Sequence, residues 1–553
     1  MSGRSPMDDE MNDPDNINGF FDQAGEWTEE QAANVVPFKA RGDARAAANP
    51  DTPVITLEAG ELHNIATHAE TALIASETPF YVRGGGLMRP VVDDMPAANN
   101  RRTKVARLSP VTEATMVDRL SRSAVWLKWD GRSKKYVPAD PTPKVAQVVL
   151  SRDGEWRFPR LSGVITTPTL RPDGTILSEP GYDETTQLLL LDPPIMPDIP
   201  PRPSKAIAGS ALKFLDALLD EFPFVDAASR SVALSALITP VIRGAVSVTP
   251  MHVTKAPVAG SGKSYIIDIA SAINSGERAP VMSAGKTEEE MEKRLVGALL
   301  SGQTFISLDN VNGELGGDFL CQMIERPVVS ARPLGQSTFV KIESRASCFA
   351  TGNNIRLVGD MTRRVIVCSL DPDMERPELR TFKANPFDQV LADRGRYVAA
   401  ALTVVRAYVV AGCPDQLPKL ASFEDWSRLV RSALVWLGRP DPVDTMVAAR
   451  EDDPVTTNLK QLYHAWDRAF GNVAHTSSEA VAAAALRGPH NDLINAPLSE
   501  ILAEISGDRA GVPNARRLSK YLSNHKNRVV SGLKLSEAGK DRDDKILWKV
   551  SKP

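Results

Sequence analysis

The spacing of apolar residues divides the chain into blocks with different periods. Residues 51–192 mix two of them. Apolar positions recur at helical spacing over 58–76, and short apolar strands follow at 80–82, 123–128, 175–177 and 188–191. Arg171-Pro172-Asp173-Gly174 is a turn signal between strands. The pattern stops at 193–203, P-P-I-M-P-D-I-P-P-R-P, a semi-rigid spacer and the clearest boundary in the chain. Residues 204–245 are helical, with Leu212, Leu215, Leu219 and Phe222 on one packing face. From 246 to 372 short apolar strands dominate: 251–254, 304–308, 346–350 and 365–370, with a helix over 264–274. Residues 373–449 return to helical period, one helix opening at Asn385-Pro386 and a second at Ser422. A linker, 450–457, precedes a small domain, 458–553, that ends helix, strand, turn, strand. Residues 1–50 are polar and poor in large apolar groups, and are expected to be disordered.

Composition narrows the class. The chain has 553 residues, too many for one core, and its 42% hydrophobic and 24% charged residues are those of a soluble globular protein. No run of 18 apolar residues exists to span a membrane, and the start of the chain has no signal-peptide pattern. The four cysteines, 321, 348, 368 and 413, lie far apart, so neither zinc nor a disulfide framework is indicated, and a reducing cytoplasm fits. Net charge is −4 but uneven. Residues 1–50 hold 4 basic and 10 acidic side chains, a net of −6; residues 509–553 hold 12 and 4, a net of +8. The basic tail suggests a local nucleic-acid contact, or simply a solvated face. Arg83, Arg89, Arg101, Arg102 and Lys104 are further candidates for DNA, with scattered surface charge as the alternative. No paired carboxylates stand at strand spacing in 51–192, so a built-in primase or polymerase has no visible site.

Chemistry concentrates after the strand at 251–254, where the chain reads A-P-V-A-G-S-G-K-S. Strand, glycine-rich loop and helix in that order cradle phosphate, because helix-start N–H groups and the helix dipole both favour an anion. Ala259, Gly260, Ser261, Gly262, Lys263, Ser264 and Tyr265 are the candidate nucleotide-binding residues. Lys263 would reach the terminal phosphates, and the Ser264 hydroxyl would hold Mg²⁺. Pro257 stands where the usual pattern has its first glycine. Asp309 ends an apolar strand 46 residues past Lys263 and is the second candidate for the metal's water shell. Asn310 follows it, and an amide orients water but takes no proton. Glu314 or one of Glu288 to Glu290 would then be the base, and the sequence does not choose among them.

Residues 328–343 read as a hairpin with Gly335, Gln336 and Ser337 at its tip and Arg332 and Lys341 on its arms. The strand at 346–350 ends in Thr351-Gly352-Asn353-Asn354, where either amide could hold water or the γ-phosphate. Arg363 and Arg364 precede the last strand, as a surface pair or as a finger reaching a neighbouring subunit's phosphate. In the tail, Arg516, Arg517 and Lys520 share a helix ahead of two strands.

G-S-G-K-S, L-D-N-V, the hairpin, A-T-G-N-N and T-R-R, in this order over about 110 residues, resemble the superfamily-3 helicases of the AAA+ ATPases. The match is to those of phages, plasmids and integrated elements, often linked to primases. The resemblance implies a multidomain α/β protein: an N-terminal α/β domain, a helical collar, an ATPase core with a central parallel sheet, and a tail resembling a winged helix. It implies ATP and Mg²⁺ as cofactors, a homo-oligomeric ring of six with ATP at the seams, and single-stranded or forked DNA through the pore, in a bacterial host cell. Lys263, Ser264 and Asp309 would form the site in cis, Asn353 or Asn354 would sense the γ-phosphate, and Arg363 or Arg364 would act in trans. The tip at 335–337 would grip DNA, and a separate primase is a further expected partner. A second reading, motivated by Asn310, is a DNA-bound AAA+ switch or origin-recognition ATPase that does not unwind.

Overall fold

The computed structural model describes residues 52–96, 102–285, 287–333, 339–451 and 454–553. The expected disorder of 1–50 and the hairpin tip at 335–337 lie outside them. Two compact units are present.

The first unit draws on 52–78 and 113–149. Its three-stranded sheet has Val125–Asp130 at the centre, parallel to Val54–Leu57 and antiparallel to Lys135–Pro138. Ile55 and Trp126 are register partners on one face and are buried, and the Trp126 indole N–H donates to the Leu120 carbonyl at 2.8 Å. The helices Leu62–Ala75 and Glu113–Ser123 bring Ile65, Leu73, Met116 and Leu120 into the same core.

The second unit is organised by a five-stranded parallel sheet: β1 (Met251–Lys255), β2 (Val281–Ser283), β3 (Phe305–Asp309), β4 (Ser347–Gly352) and β5 (Val365–Ser369). The spatial order is β2-β3-β4-β1-β5, every neighbouring pair parallel. β1 and β4 are central, and β4 is buried at all six positions, as expected where helices cover both faces. His252, in β1, is enclosed; its Nε2 lies 2.9 Å from Ser235 Oγ, its ring stacks on Phe349, and burial pushes its pKa down to about 3. Helix α1 (Lys263–Ser275) follows β1 and stops at Gly276, whose φ of +81° suits glycine. The helices of 204–245, Lys205–Asp216 and Ala227–Ile238, are capped by Ser204 and Asp226 and pack into the same core.

Several sequence expectations change here. The stretch 51–192 is not one unit, because 79–112 and 150–192 group with the sheet. A long hairpin, Gly86–Pro96 with Arg102–Pro110, occupies a stretch with no predicted strand. Arg83 is not a DNA contact: it is buried and donates to the carbonyls of Leu161, Ser162, Leu299 and Glu343. The helix predicted from Asn385 breaks at Asp393 into Pro386–Ala392 and Arg394–Val410. The second helix carries a π-turn over Ser427–Arg431. Among the described residues no helix is long and apolar enough to cross a membrane.

The C-terminal region has its own core, around Trp466, Leu502, Leu522 and Trp548. Helices Pro454–Phe470, Ser477–Ala484, Ala496–Ser506 and Ala515–His525 accompany an antiparallel sheet in which Leu533–Lys540 pairs with Ile546–Ser551.

Candidate functional site

The carboxyl ends of β1, β3 and β4 meet at one place, and the candidate residues gather there. The order β3-β4-β1 puts β4 between the loop strand and the acid strand. Ligands in open α/β sheets bind beyond the carboxyl ends of such strands.

The loop between β1 and α1 is shaped by one carbonyl. Val258 O accepts from Ser261 Oγ at 2.7 Å and from Lys263 Nζ at 2.8 Å, which closes the loop although Pro257 replaces the first glycine. Gly260 and Gly262 sit at φ +74° and +92°, conformations that a side chain disfavours. A Cβ on Gly262 would also lie 3.0 Å from the Phe222 ring. Gly262 is the N-cap of α1 and makes no side-chain cap, so the first N–H groups of α1 have no capping acceptor there. Burial holds the Lys263 ammonium below the usual amine range, and Asp309 partly offsets that.

Ser264 Oγ donates to Asp309 Oδ1 at 2.9 Å, and Thr351 Oγ1 donates to the same carboxylate oxygen. A serine hydroxyl and a carboxylate this close supply the two oxygen ligands that a small hard dication takes from protein, its other positions being left to water and phosphate. The Asn310 N–H donates to Thr351 Oγ1 at 3.2 Å, and Asn310 itself sits at φ +54° with an exposed side chain. Thr351 therefore ties the ends of β3 and β4 together. Sequence reasoning missed it, because the amides two and three positions later drew the attention. Asn353 is half-buried and Asn354 exposed, directly after that tie.

The three glutamates proposed as a base are engaged elsewhere. Glu288 accepts from the Asp318 N–H at 2.6 Å, Glu289 pairs with Lys293, and Glu290 pairs with Arg294. Glu314 is exposed on Gly313–Leu315, which pairs with Ile355–Leu357 just past Asn353 and Asn354. Tyr265 bonds Asn385 through its hydroxyl and stacks on Phe222, so it joins α1 to the segment after β5. Glu378, in that segment, packs against Gly260: a Cβ there would be 3.3 Å from its Oε2.

The arginine pair divides. Arg364 is buried, bonds Glu325 through two guanidinium nitrogens and donates to the Asp360 carbonyl at 2.8 Å. Arg363 is 40% exposed, 3.1 Å from Asp360 and 3.6 Å from Glu325. Arg332, just past the strand Val328–Ala331, and Lys341, within its partner Val340–Glu343, are exposed. Arg516, Arg517 and Lys520 are exposed on Ala515–His525, whose Leu518 and Leu522 are buried. The turn between the last two strands is internally neutralised by Lys540 with Asp544 and Lys545 with Asp543.

Gly352 has no room to change. A Cβ there would stand 2.0 Å from the Val311 carbonyl, and the Val311 N–H is bonded to Thr351 O at 2.7 Å. Gly352→Ala is expected to force β3 and β4 apart at their ends, costing about 2–3 kcal/mol by chemical denaturation.

No family model matches the chain, and no curated protein matches it. Two solved structures of the NrS-1 C-terminal region, both apo, are similar to it. One is 14% identical, covering 78% of this chain and 98% of that one with a TM-score of 0.34. The other is 10% identical, covering 88% and 99% with a TM-score of 0.36. Likeness at that level carries no argument about this chain.

Proposed function

We propose that the chain is an ATP-driven motor of the superfamily-3 type, with ATP and Mg²⁺ at the β1–β3–β4 site and single-stranded or forked DNA as its track. The observation that carries the reading is the convergence of Lys263, Ser264 and Asp309 at the carboxyl ends of β1 and β3, the parallel strands on either side of β4. In this reading the loop N–H groups and Lys263 bind the β- and γ-phosphates, and Ser264 and Asp309 hold the metal. Thr351 orients Asp309, and Asn353 or Asn354 faces the attacking water. Arg363, rather than the buried Arg364, is the residue able to reach the phosphate of a neighbouring copy in a ring. Arg332, Lys341 and the hairpin tip contact DNA, and the basic tail helix adds phosphate contacts.

Strand displacement tests it. The purified chain with ATP and Mg²⁺ is expected to unwind a labelled fork, with hydrolysis stimulated by single strands. Asn310 favours the second reading, a switch that binds DNA in an ATP-dependent way, since no acid follows Asp309. ATP-dependent DNA binding with no displaced strand would decide for that switch. No ATP binding at all would remove both.

A further inference from the structure

The first unit presents a surface that the motor reading does not use. Its sheet has two unlike faces, because successive side chains in a strand point to opposite sides. Ile55 and Trp126 face the helices, at 2% and 3% exposure. The other face carries Val54, Trp129 and Tyr136 at 58%, 54% and 48%. Trp129 and Tyr136 are direct cross-strand partners on the Val125–Asp130 and Lys135–Pro138 hairpin, with ring centroids 5.3 Å apart in an edge-to-face arrangement.

Charge is concentrated in the same hairpin. Between 128 and 136 stand Lys128, Arg132, Lys134 and Lys135 against one carboxylate, Asp130, so four positive charges less one negative leave +3. All four cations are exposed; Arg132 and Lys134 stand in the turn, whereas Lys128 and Lys135, strand neighbours of Trp129 and Tyr136, point to the opposite face. Asp130 is turned inward to the turn itself, accepting from the N–H groups of Arg132 and Ser133 and from the Ser133 hydroxyl at 2.7 Å. Lys134, at φ +51°, completes that turn. The hairpin is thus held rigid by its own short contacts, while its aromatic rings and cations stay open.

Exposed aromatics cost solvation without a reward unless something stacks on them, and the turn cations beside them select for an anionic ligand that has flat rings. Single-stranded nucleic acid combines both. A duplex hides its base faces, and an acidic peptide has no rings to stack at each charge. We propose that the 128–136 hairpin is a binding platform for single-stranded nucleic acid, with Trp129 and Tyr136 stacking bases and Arg132 and Lys134, in the turn beside them, contacting the backbone. The platform works without ATP and does not depend on the motor reading.

The test is fluorescence anisotropy of the full-length chain without nucleotide, on labelled 20-mers of thymidylate and of uridylate. Trp129→Ala and Tyr136→Ala are each expected to weaken binding roughly 5- to 150-fold, the loss for one stacked base. Their melting temperatures should match the parent, since both rings are half-exposed. The double variant Arg132→Gln, Lys134→Gln should flatten the dependence of log affinity on log salt by about 1.4. Loss on thymidylate alone, or on uridylate alone, names the strand; loss on both supports a platform for either. Affinity unchanged in Trp129→Ala and Tyr136→Ala, or loss confined to an Arg516→Gln, Arg517→Gln, Lys520→Gln control, overturns the proposal, as does failure of the parent to bind either strand.

Discussion

Lys263→Ala is expected to lower ATP turnover by about 10²–10³-fold while the protein stays folded. The ammonium donates to the Val258 carbonyl and lies where burial already disfavours its charge. Removing it costs the fold about 1 kcal/mol, since Ser261 still closes the loop on the same carbonyl. When phosphate enters, the picture inverts. A carbonyl is a weak partner for a partly desolvated ammonium, and a phosphate is a strong one. Charge that develops on the γ-phosphate in the transition state would lose its nearest cation. Phosphate release read alongside a thermal melt separates the two effects. Turnover within tenfold of the parent, in a variant that melts normally, would mean that phosphate does not sit on this loop.

Asp309→Asn removes the charge that both Ser264 and Thr351 address, but it keeps an acceptor oxygen for them. The pair of variants therefore probes the two halves of the proposed site, in which Lys263 would act on the phosphate and Asp309 on the metal. Their shared neighbour Thr351 shows what sequence can and cannot reveal. The strand, glycine loop and helix around Lys263 were legible because each is local: an apolar run, positive-φ glycines, and a helical stripe that ends at Gly276. Asp309 was legible as the end of an apolar strand. Thr351 was not, because its role exists only once β4 is inserted between β1 and β3, and nothing in the order of residues states that insertion.

Burial was the second hidden quantity. Arg83 stands beside three glycines and reads as a surface cation, yet its guanidinium is enclosed by four carbonyls from segments up to 260 residues away. Burial lowers its pKa, and Glu343 partly offsets that. Arg364 is adjacent to Arg363 in sequence and nothing in the pattern separates them, but Glu325, at the end of the helix Asp318–Glu325, bonds Arg364 closely and reaches the half-exposed Arg363 only at 3.6 Å. The hairpin of Gly86–Pro96 with Arg102–Pro110 escaped because Pro90, Pro96 and several charged residues break the alternation that marks a strand. The aromatic pair at Trp129 and Tyr136 was hidden differently. Alternation indicates that one face of a strand is exposed, but only the register shows that two rings meet on it.

The division of the arginine pair leads to the second large effect. Arg363→Ala is expected to reduce turnover by about 10³-fold with nucleotide affinity nearly unchanged, whereas Arg364→Ala should destabilise the region instead, by about 1–3 kcal/mol, since it removes a buried guanidinium and leaves the half-buried Glu325 only Ser422 and the more distant Arg363. Affinity and turnover separate because a finger contributes where charge spreads in the transition state and little in the ground state. Whether the finger comes from the same copy or the next is decided by mixing. A Lys263→Ala chain still carries Arg363, and an Arg363→Ala chain still carries Lys263. In a random ring of equal parts, about a quarter of the seams would join an intact lysine to an intact arginine, and that fraction does not depend on the number of copies. Two inactive proteins should therefore recover up to about a quarter of parental turnover once subunits exchange. If the arginine served its own site, every site in the mixture would lack one group or the other, and the mixture would stay as inactive as its parts.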